Sequence, residues 1–317
     1  MSILITGALG FLGRVIVDNL RGKEKLVLLG RIDKGENSDL FYKDVNSVTD
    51  YSDCLTGVGC IIHCAARVHI MGDESNDPLN DYREVNTLGT LNLARQAVEF
   101  GVKRFIFISS IKANGEDTNH IPPFNTESSR SPKDFYAQSK SEAEIQLMAL
   151  AEETGLEVVI IRPPLVYGAG VRANFASLMK LVSKGFPLPF GSIRSNKRSL
   201  VSVSNLVDLV ITCINHPKAK NQIFLVSDGQ DLSTSSMISE MAVACGRASF
   251  QIPVPIWCYK LVGTMARKQD VVERLIGSLQ VDISHTRETL DWTPPQSLQD
   301  GFKETADFIL CKEGKNK

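Results

Sequence analysis

Tyr136 and Lys140 stand four residues apart in Tyr136-Ala-Gln-Ser-Lys140, within a helix-like segment that follows Ser131-Pro132. Residues at that spacing share one helix face. An isolated phenol, with a pKa of about 10, is a poor base at neutral pH. A neighbouring ammonium, together with the positive ring of an oxidised hydride-accepting cofactor, favours the phenolate, and a drop of about 3 units corresponds to roughly 4 kcal/mol of differential stabilisation. Such a pair exchanges a proton with an alcohol or a carbonyl while a cofactor takes or gives hydride. Taken alone the pattern is weak, because many helices contain it by chance. Ser109-Ser110 closes an apolar run, at the end of a strand where ligands bind in open α/β sheets. There Ser110 hydrogen-bonds the reacting oxygen and holds it near Tyr136.

Thr6-Gly7-Ala8-Leu9-Gly10-Phe11-Leu12-Gly13 lies between an apolar run and a helical segment. Gly7 allows a tight turn, Gly10 lets backbone approach a pyrophosphate, and Gly13 lets the helix pack closely on the strand. The N–H groups that open the helix, around Phe11 and Leu12, then face an anion, aided by the helix dipole. The plainer reading is a turn that needs glycine for geometry alone; the strand–turn–helix–strand context favours a dinucleotide. The next strand ends Leu28-Leu29-Gly30-Arg31. An acid at that end would accept hydrogen bonds from an adenosine ribose, but Asp33 arrives late. Arg31, assisted by Arg14, suits a 2′-phosphate instead, so NADP(H) is favoured over NAD(H). A solvated surface charge is the alternative for each arginine.

These residues need a frame to position them. Apolar runs at Ile3–Thr6, Leu26–Leu29, Val58–His63, Phe105–Ser109 and Glu157–Arg162, with a weaker one at Phe41–Asp44, alternate with helix-like stretches at Phe11–Leu20, Leu79–Phe100 and Pro132–Thr154. That alternation predicts an α/β fold, a doubly wound parallel sheet with helices on both faces. The second half is loop-rich around Tyr167–Gly170 and Gly185–Gly191, with helices expected at Asn205–Asn215 and Ser233–Cys245 and a late strand at Ile223–Val226. The expected division is a dinucleotide-binding domain over 1–165, to which the chain returns around 199–227, and a smaller substrate lobe over 166–317.

The 317 residues carry 35 Lys and Arg against 36 Asp and Glu, a net charge of −1, which leaves no electrostatic footprint for nucleic acid. No apolar run approaches the roughly 20 residues that span a bilayer, and the N-terminus opens directly into a strand, so no membrane partner is expected. Seven cysteines without framework spacing suggest reduced thiols in the cytoplasm. Cys60-Ile-Ile-His63-Cys64 looks ligand-like, but no second ligand pair exists, so it reads as a buried strand and no metal is assigned.

Together these motifs resemble the extended short-chain dehydrogenase/reductase family, in its sugar-nucleotide epimerase/dehydratase branch. The resemblance runs through nearly the whole chain. Besides the glycine turn, the tyrosine helix and the Ser-Ser strand end, it rests on Asp44-Val45, His63-Cys64-Ala65-Ala66, Asn86-Thr-Leu-Gly-Thr90, Arg162-Pro163 and Val166-Tyr167-Gly168. It implies a Rossmann-type seven-stranded parallel sheet and a sugar nucleotide held in the C-terminal lobe. It implies that Ser110, Tyr136 and Lys140 are the catalytic trio. Asp44, Val45, Ala65, Ala66 and Pro163, with the glycine turn, would line the cofactor. Asn174 would touch a nucleotide diphosphate, Arg198 would bind that diphosphate, and the Leu188-Pro-Phe190 loop would flank the uracil. The alternatives are a helix cap for Asn174 and a surface charge for Arg198. Two positions depart from the family pattern. Ile111-Lys112 replaces the Asp-Glu of the dehydratases and cannot supply the acid and base that eliminate water. Asn114-Gly115 stands where Tyr-Gly is usual.

The segment Arg67–Glu74, with His69 as a possible sugar contact, resembles a bacterial surface-polysaccharide subgroup that includes UDP-N-acetylquinovosamine-type 4-ketoreductases. The expected activity is therefore hydride transfer at C4 of a UDP-(N-acetyl)hexosamine, with a 4-keto reductase favoured. The alternative is a UDP-glucose or UDP-N-acetylglucosamine 4-epimerase with bound NAD. A non-sugar alcohol dehydrogenase and a non-catalytic dinucleotide sensor are lesser readings. A homodimer through the segments 79–100 and 132–154 is expected.

Overall fold

The structure, a computed structural model, describes residues 1–31, 40–68, 77–171 and 173–315, with the side chains of 173, 174 and 312–315 left out. Strand β1 (Ser2–Thr6) runs into α1 (Phe11–Leu20), then β2 (Lys25–Gly30), β3 (Leu40–Tyr42), α2 (Ser52–Leu55) and β4 (Val58–His63). Helix α3 (Pro78–Arg83) passes through a π-helical turn at Glu84–Gly89 into α4 (Thr90–Glu99). Then come β5 (Arg104–Ile108), a 3₁₀ turn at Ile111–Ala113, α5 (Phe135–Thr154) and β6 (Glu157–Arg162). The lobe begins with β7 (Leu165–Tyr167), α6 (Ala173–Ser183) and β8 (Arg198–Ser202). Helix α7 (Val203–Asn215) and β9 (Gln222–Leu225) return to the main sheet; β10 (Asp231–Leu232), α8 (Thr234–Ala244), α9 (Ile256–Met265), α10 (Gln269–Ile276), α11 (Ser284–Leu290) and α12 (Leu298–Lys315) complete the chain.

The seven-stranded sheet has the order β3-β2-β1-β4-β5-β6-β9 and every pairing in it is parallel. This is the doubly wound α/β architecture that the strand–helix alternation predicts. The order reverses between β1 and β4, and the crevice at that reversal is where such sheets bind ligands. Alternate side chains divide the sheet between two cores. Ile3, Ile5, Ile62, Ile106 and Ile161 pack towards α1 and α7, while Leu4, Ile61, Phe105, Phe107 and Ile160 pack towards α4 and α5. Burial on both faces explains why these strands are apolar throughout.

The small sheet, β10-β8-β7, belongs to the lobe, whose core gathers Tyr167, Phe175, Met179, Leu200, Met241 and Phe302. Strand β8 pairs with β7 and β10, so the return to the main sheet starts with α7 at Val203, later than the 199 expected. Two helix starts also differ from expectation. The tyrosine helix begins at Phe135, after Pro132, because Asp134 caps it by accepting from the Ala137 N–H at 2.7 Å. The segment expected as one helix over 79–100 contains the π turn, a feature that concentrates at functional sites.

Candidate active site

A cleft of about 580 Å³ opens at the β1–β4 reversal, lined by Gly7, Gly10, Arg14, Gly30, Arg31, Asp44, Val45, Ala65 and Ala66. Gly7 turns the chain with φ +64, and a Cβ there would lie 2.9 Å from the Ala65 nitrogen. At Gly13 a Cβ would lie 2.2 Å from the Gly7 carbonyl oxygen, so α1 packs directly on the turn. Gly10 caps α1 with no side-chain hydrogen bond, which leaves the first helical N–H groups to a ligand. This cradle, with bare backbone at a helix start beside a long cleft, fits the pyrophosphate and adenosine of a dinucleotide. Phe11 and Leu12 are half-buried and pack against the core, and neither lines the cleft. Pro163 is buried, and its carbonyl accepts from the Ile111 N–H at 3.0 Å, tying the β5 and β6 ends together. Asp33 and His69 lie outside the described residues.

Helix α5 carries Tyr136, Lys140 and Glu144 at successive four-residue steps. Tyr136 is half-buried, with its ring edge-on to Tyr82 at 6.4 Å. Lys140 is fully buried; its ammonium donates to the Ile108 carbonyl at 2.9 Å and lies 4.3 Å from the Phe107 ring centre. Burial lowers the Lys140 pKa to about 7. The Tyr136 phenol, in contrast, is pushed up, by burial first and then by Asp134 and Tyr82. In the protein by itself the phenol is held up by burial, and the Lys140 ammonium is directed to a strand-end carbonyl.

Glu144, fully buried, accepts from the Arg162 guanidinium, from the Ser109 hydroxyl at 2.5 Å and from Arg130 at 3.2 Å. Arg162 also donates to the Asn114 side-chain oxygen at 2.9 Å. The Asn-Gly departure therefore has a structural consequence: Asn114 completes the buried ion pair. The two adjacent serines divide. Ser109 points down to Glu144, while half-buried Ser110 accepts from the Lys112 N–H at 3.3 Å and stands at the strand end. Lys112 binds Glu116 at 2.7 Å and Asp134 at 2.5 Å, so this cation braces the cap of the tyrosine helix.

A second buried chain joins the turn to α5. Thr6 Oγ1 accepts from the Ala65 N–H at 3.1 Å and donates to His63 Nδ1 at 2.8 Å; His63 Nε2 donates to Thr90 Oγ1 at 3.0 Å, which donates to the Asn86 carbonyl. The Asn86 amide donates to Ser139 Oγ at 3.0 Å, which donates to the Tyr136 carbonyl at 2.8 Å. These roles make His63 neutral, and burial holds its pKa down to about 3.

In the lobe, Arg198 donates to the Arg274 carbonyl at 2.8 Å and to the Gly277 carbonyl at 3.3 Å. Burial, then the Arg274 charge, lowers its pKa. Sequence reading missed Arg274, whose only local signal was one basic residue in a short helix. Leu188 is buried in the lobe core, and its N–H and C=O are both bonded to the 250–252 segment. The Phe190 side chain packs against the same core. Both positions are thus structural in the first place. The Asn174 side chain lies outside the described residues. Tyr167, read as part of a Tyr-Gly loop, is buried and donates to Asp228 at 2.7 Å.

Residues 3–227 match the profile of the family described as NAD dependent epimerase/dehydratase. A Vibrio cholerae protein named UDP-glucose 4-epimerase is 58% identical over 313 residues, covering 98% of this chain and 95% of that one. The fold is similar to that of the Thermotoga maritima UDP-glucose 4-epimerase solved with UDP-glucose (TM-score 0.78, 21% identity, 99% of this chain and 100% of that one). It is also similar to that of the Thermus thermophilus UDP-glucose 4-epimerase in complex with NAD (TM-score 0.73, 22% identity, 98% and 99%). With its glycine cradle, its parallel sheet and these matches over most of its length, the chain belongs to the NAD dependent epimerase/dehydratase family and is an enzyme of the extended short-chain dehydrogenase/reductase type.

Proposed function

We propose that this enzyme is a UDP-hexose 4-epimerase that works with a resident NAD. The observation that carries the reading is the 58% identity, over 98% of the chain, to a protein named UDP-glucose 4-epimerase. The 4-keto reductase reading rested on the missing acid after β2 and on the Arg67–Glu74 segment, and the NADP(H) preference on that missing acid with Arg31 and Arg14; similar folds hold NAD or NADPH and so favour neither dinucleotide, while the 58% identical relative favours the epimerase.

Gly7, Gly10, Gly13, Arg31, Asp44, Val45, Ala65 and Ala66 would hold the dinucleotide. When bound, it supplies a hydride acceptor and donor and a positive ring beside the phenol. Ser110 donates to the sugar O4 and keeps it near α5. Tyr136 Oη, which the positive ring of a bound cofactor would bring to the phenolate, would take the proton of the 4-hydroxyl and return it to the 4-keto oxygen after the sugar has turned over. Lys140 donates to the Ile108 carbonyl and so fixes the β5 end beneath the site. Arg198, with Arg274 beside it, suits the diphosphate, whose two negative groups favour paired guanidiniums.

The test is to denature the purified protein and quantify released nucleotide, then to supply UDP-galactose with no added cofactor. Retained NAD and formation of UDP-glucose are expected. A cofactor-free protein that oxidises one added NADPH for each 4-keto sugar reduced would restore the reductase.

A further inference from the structure

Helix α9 is built inside out. Its inner face carries Gly263, where a Cβ would lie 2.6 Å from the Val272 side chain, so α9 packs closely on α10. Trp257, Leu261 and Met265, at four-residue steps, form the opposite face and are 65%, 53% and 78% exposed. Val262 beside them is exposed, as are Phe250 and Ile252 on the approach to the helix. Eight of the 22 exposed large hydrophobic side chains among the described residues fall between Glu240 and Asp270.

Charge follows the same boundary. Between Glu240 and Asp270 the chain has no acidic residue, but it has Arg247, Lys260, Arg267 and Lys268. A chain of net charge −1 thus sets Arg247, Arg267 and Lys268 along its largest run of exposed apolar side chains, while Lys260 faces a cavity that Glu116, Asp117, Asp270 and Glu273 also line. A soluble surface rarely exposes such a patch without an occupant. Water is a poor solvent for the apolar stripe, and a second copy packed on the same face would bring like cations together. A bilayer surface carrying anionic lipid satisfies both demands: acyl chains take the stripe and headgroups pair with the rim. Trp257 is suited to the headgroup boundary. The helix has 10 residues, and no helix among the described residues is long and apolar enough to cross a membrane, so contact is with one leaflet.

We infer that the outer face of α9 docks this enzyme onto an anionic phospholipid surface. The absence of a membrane partner, expected from the sequence, is replaced by peripheral contact. Lys260 also lines a lobe cavity of about 620 Å³ with Arg274, Glu273 and Gly277, so the docked helix forms one wall beside the Arg198–Arg274 pair.

The full-length protein is to be sedimented with vesicles of phosphatidylcholine and of an equimolar phosphatidylcholine–phosphatidylglycerol mixture, with tryptophan emission recorded in parallel. Trp292, the other tryptophan, is buried, so a blue shift reports Trp257. Expected results are sedimentation with the anionic vesicles, a blue shift that Trp257→Phe removes, and about tenfold weaker partitioning of Leu261→Glu/Met265→Glu. Arg267→Glu/Lys268→Glu weakens anionic binding in the same assay, and all variants keep wild-type circular dichroism and their turnover of soluble UDP-galactose. Absence of anionic-vesicle binding, equal binding to neutral vesicles, or wild-type binding by Leu261→Glu/Met265→Glu overturns the inference. A dimer that this double variant dissociates, with no vesicle bound, assigns the face to self-association instead.

Discussion

The Lys140 ammonium and the Ile108 carbonyl are 2.9 Å apart in the buried interior, so the lysine of the Tyr-x-x-x-Lys pair anchors the end of β5. Burial lowers its pKa from 10.5 to about 7. Below about pH 7 both folded and unfolded chains carry this charge, and the burial penalty is full. Between about 7 and 10.5 the folded lysine is neutral while the unfolded one still binds a proton, so stability from this group rises with pH, by up to about 1.4 kcal/mol per unit. Urea denaturation from pH 6 to 9 is expected to show wild type gaining on Lys140→Met across that window.

Tyr136→Phe keeps the fold, because the hydroxyl has no hydrogen-bond partner among the described residues and the Asp134 cap holds the helix start. Turnover is expected to fall by about 10² to 10⁴, with retained nucleotide unchanged. Steady-state assay with UDP-galactose and nucleotide content after denaturation check both halves.

Glu144 and Arg162 form a buried pair with Ser109 and Asn114 as supporting donor and acceptor. Arg162→Met leaves a fully buried carboxylate with too few donors. Its cost is expected to be about 3–5 kcal/mol in denaturant unfolding, with part recovered in Glu144→Gln/Arg162→Met.

His63 is neutral, fully enclosed and held to a pKa of about 3. Between about pH 6.5 and 3 the unfolded chain binds a proton that the folded chain refuses, so stability falls as pH falls through that window. His63→Asn is expected to lose stability at pH 7, through the broken Thr6 and Thr90 bonds, but to show a shallower decline between pH 6.5 and 4. Parallel urea titrations measure the two slopes.

Gly13→Ala places a methyl group 2.2 Å from the Gly7 carbonyl oxygen, and backbone must move. The expected result is dinucleotide binding weaker by at least about tenfold, or about 1.4 kcal/mol, with far-ultraviolet circular dichroism retained. Calorimetric titration of stripped protein measures it.

The glycine turn, the five central strands and the face shared by Tyr136 and Lys140 were legible in the sequence, because each is set by neighbours in the chain: glycine steric freedom, two-residue and four-residue periodicity, and an apolar run buried on both sides. The small sheet was not, since β7, β8 and β10 are two to five residues long and pair across the lobe. Tertiary structure alone decided that Ser109 meets Glu144, 35 residues on, that Thr6 meets His63, 57 residues on, and that Arg198 reaches the Arg274 carbonyl, 76 residues on. It also set the Lys140 ammonium on a backbone carbonyl, and it left α9 facing outward with its apolar stripe uncovered. Spacing along a chain determines which side chains share an element; which of them meet depends on how elements separated by tens of residues pack, and that packing also sets the burial that moves each pKa.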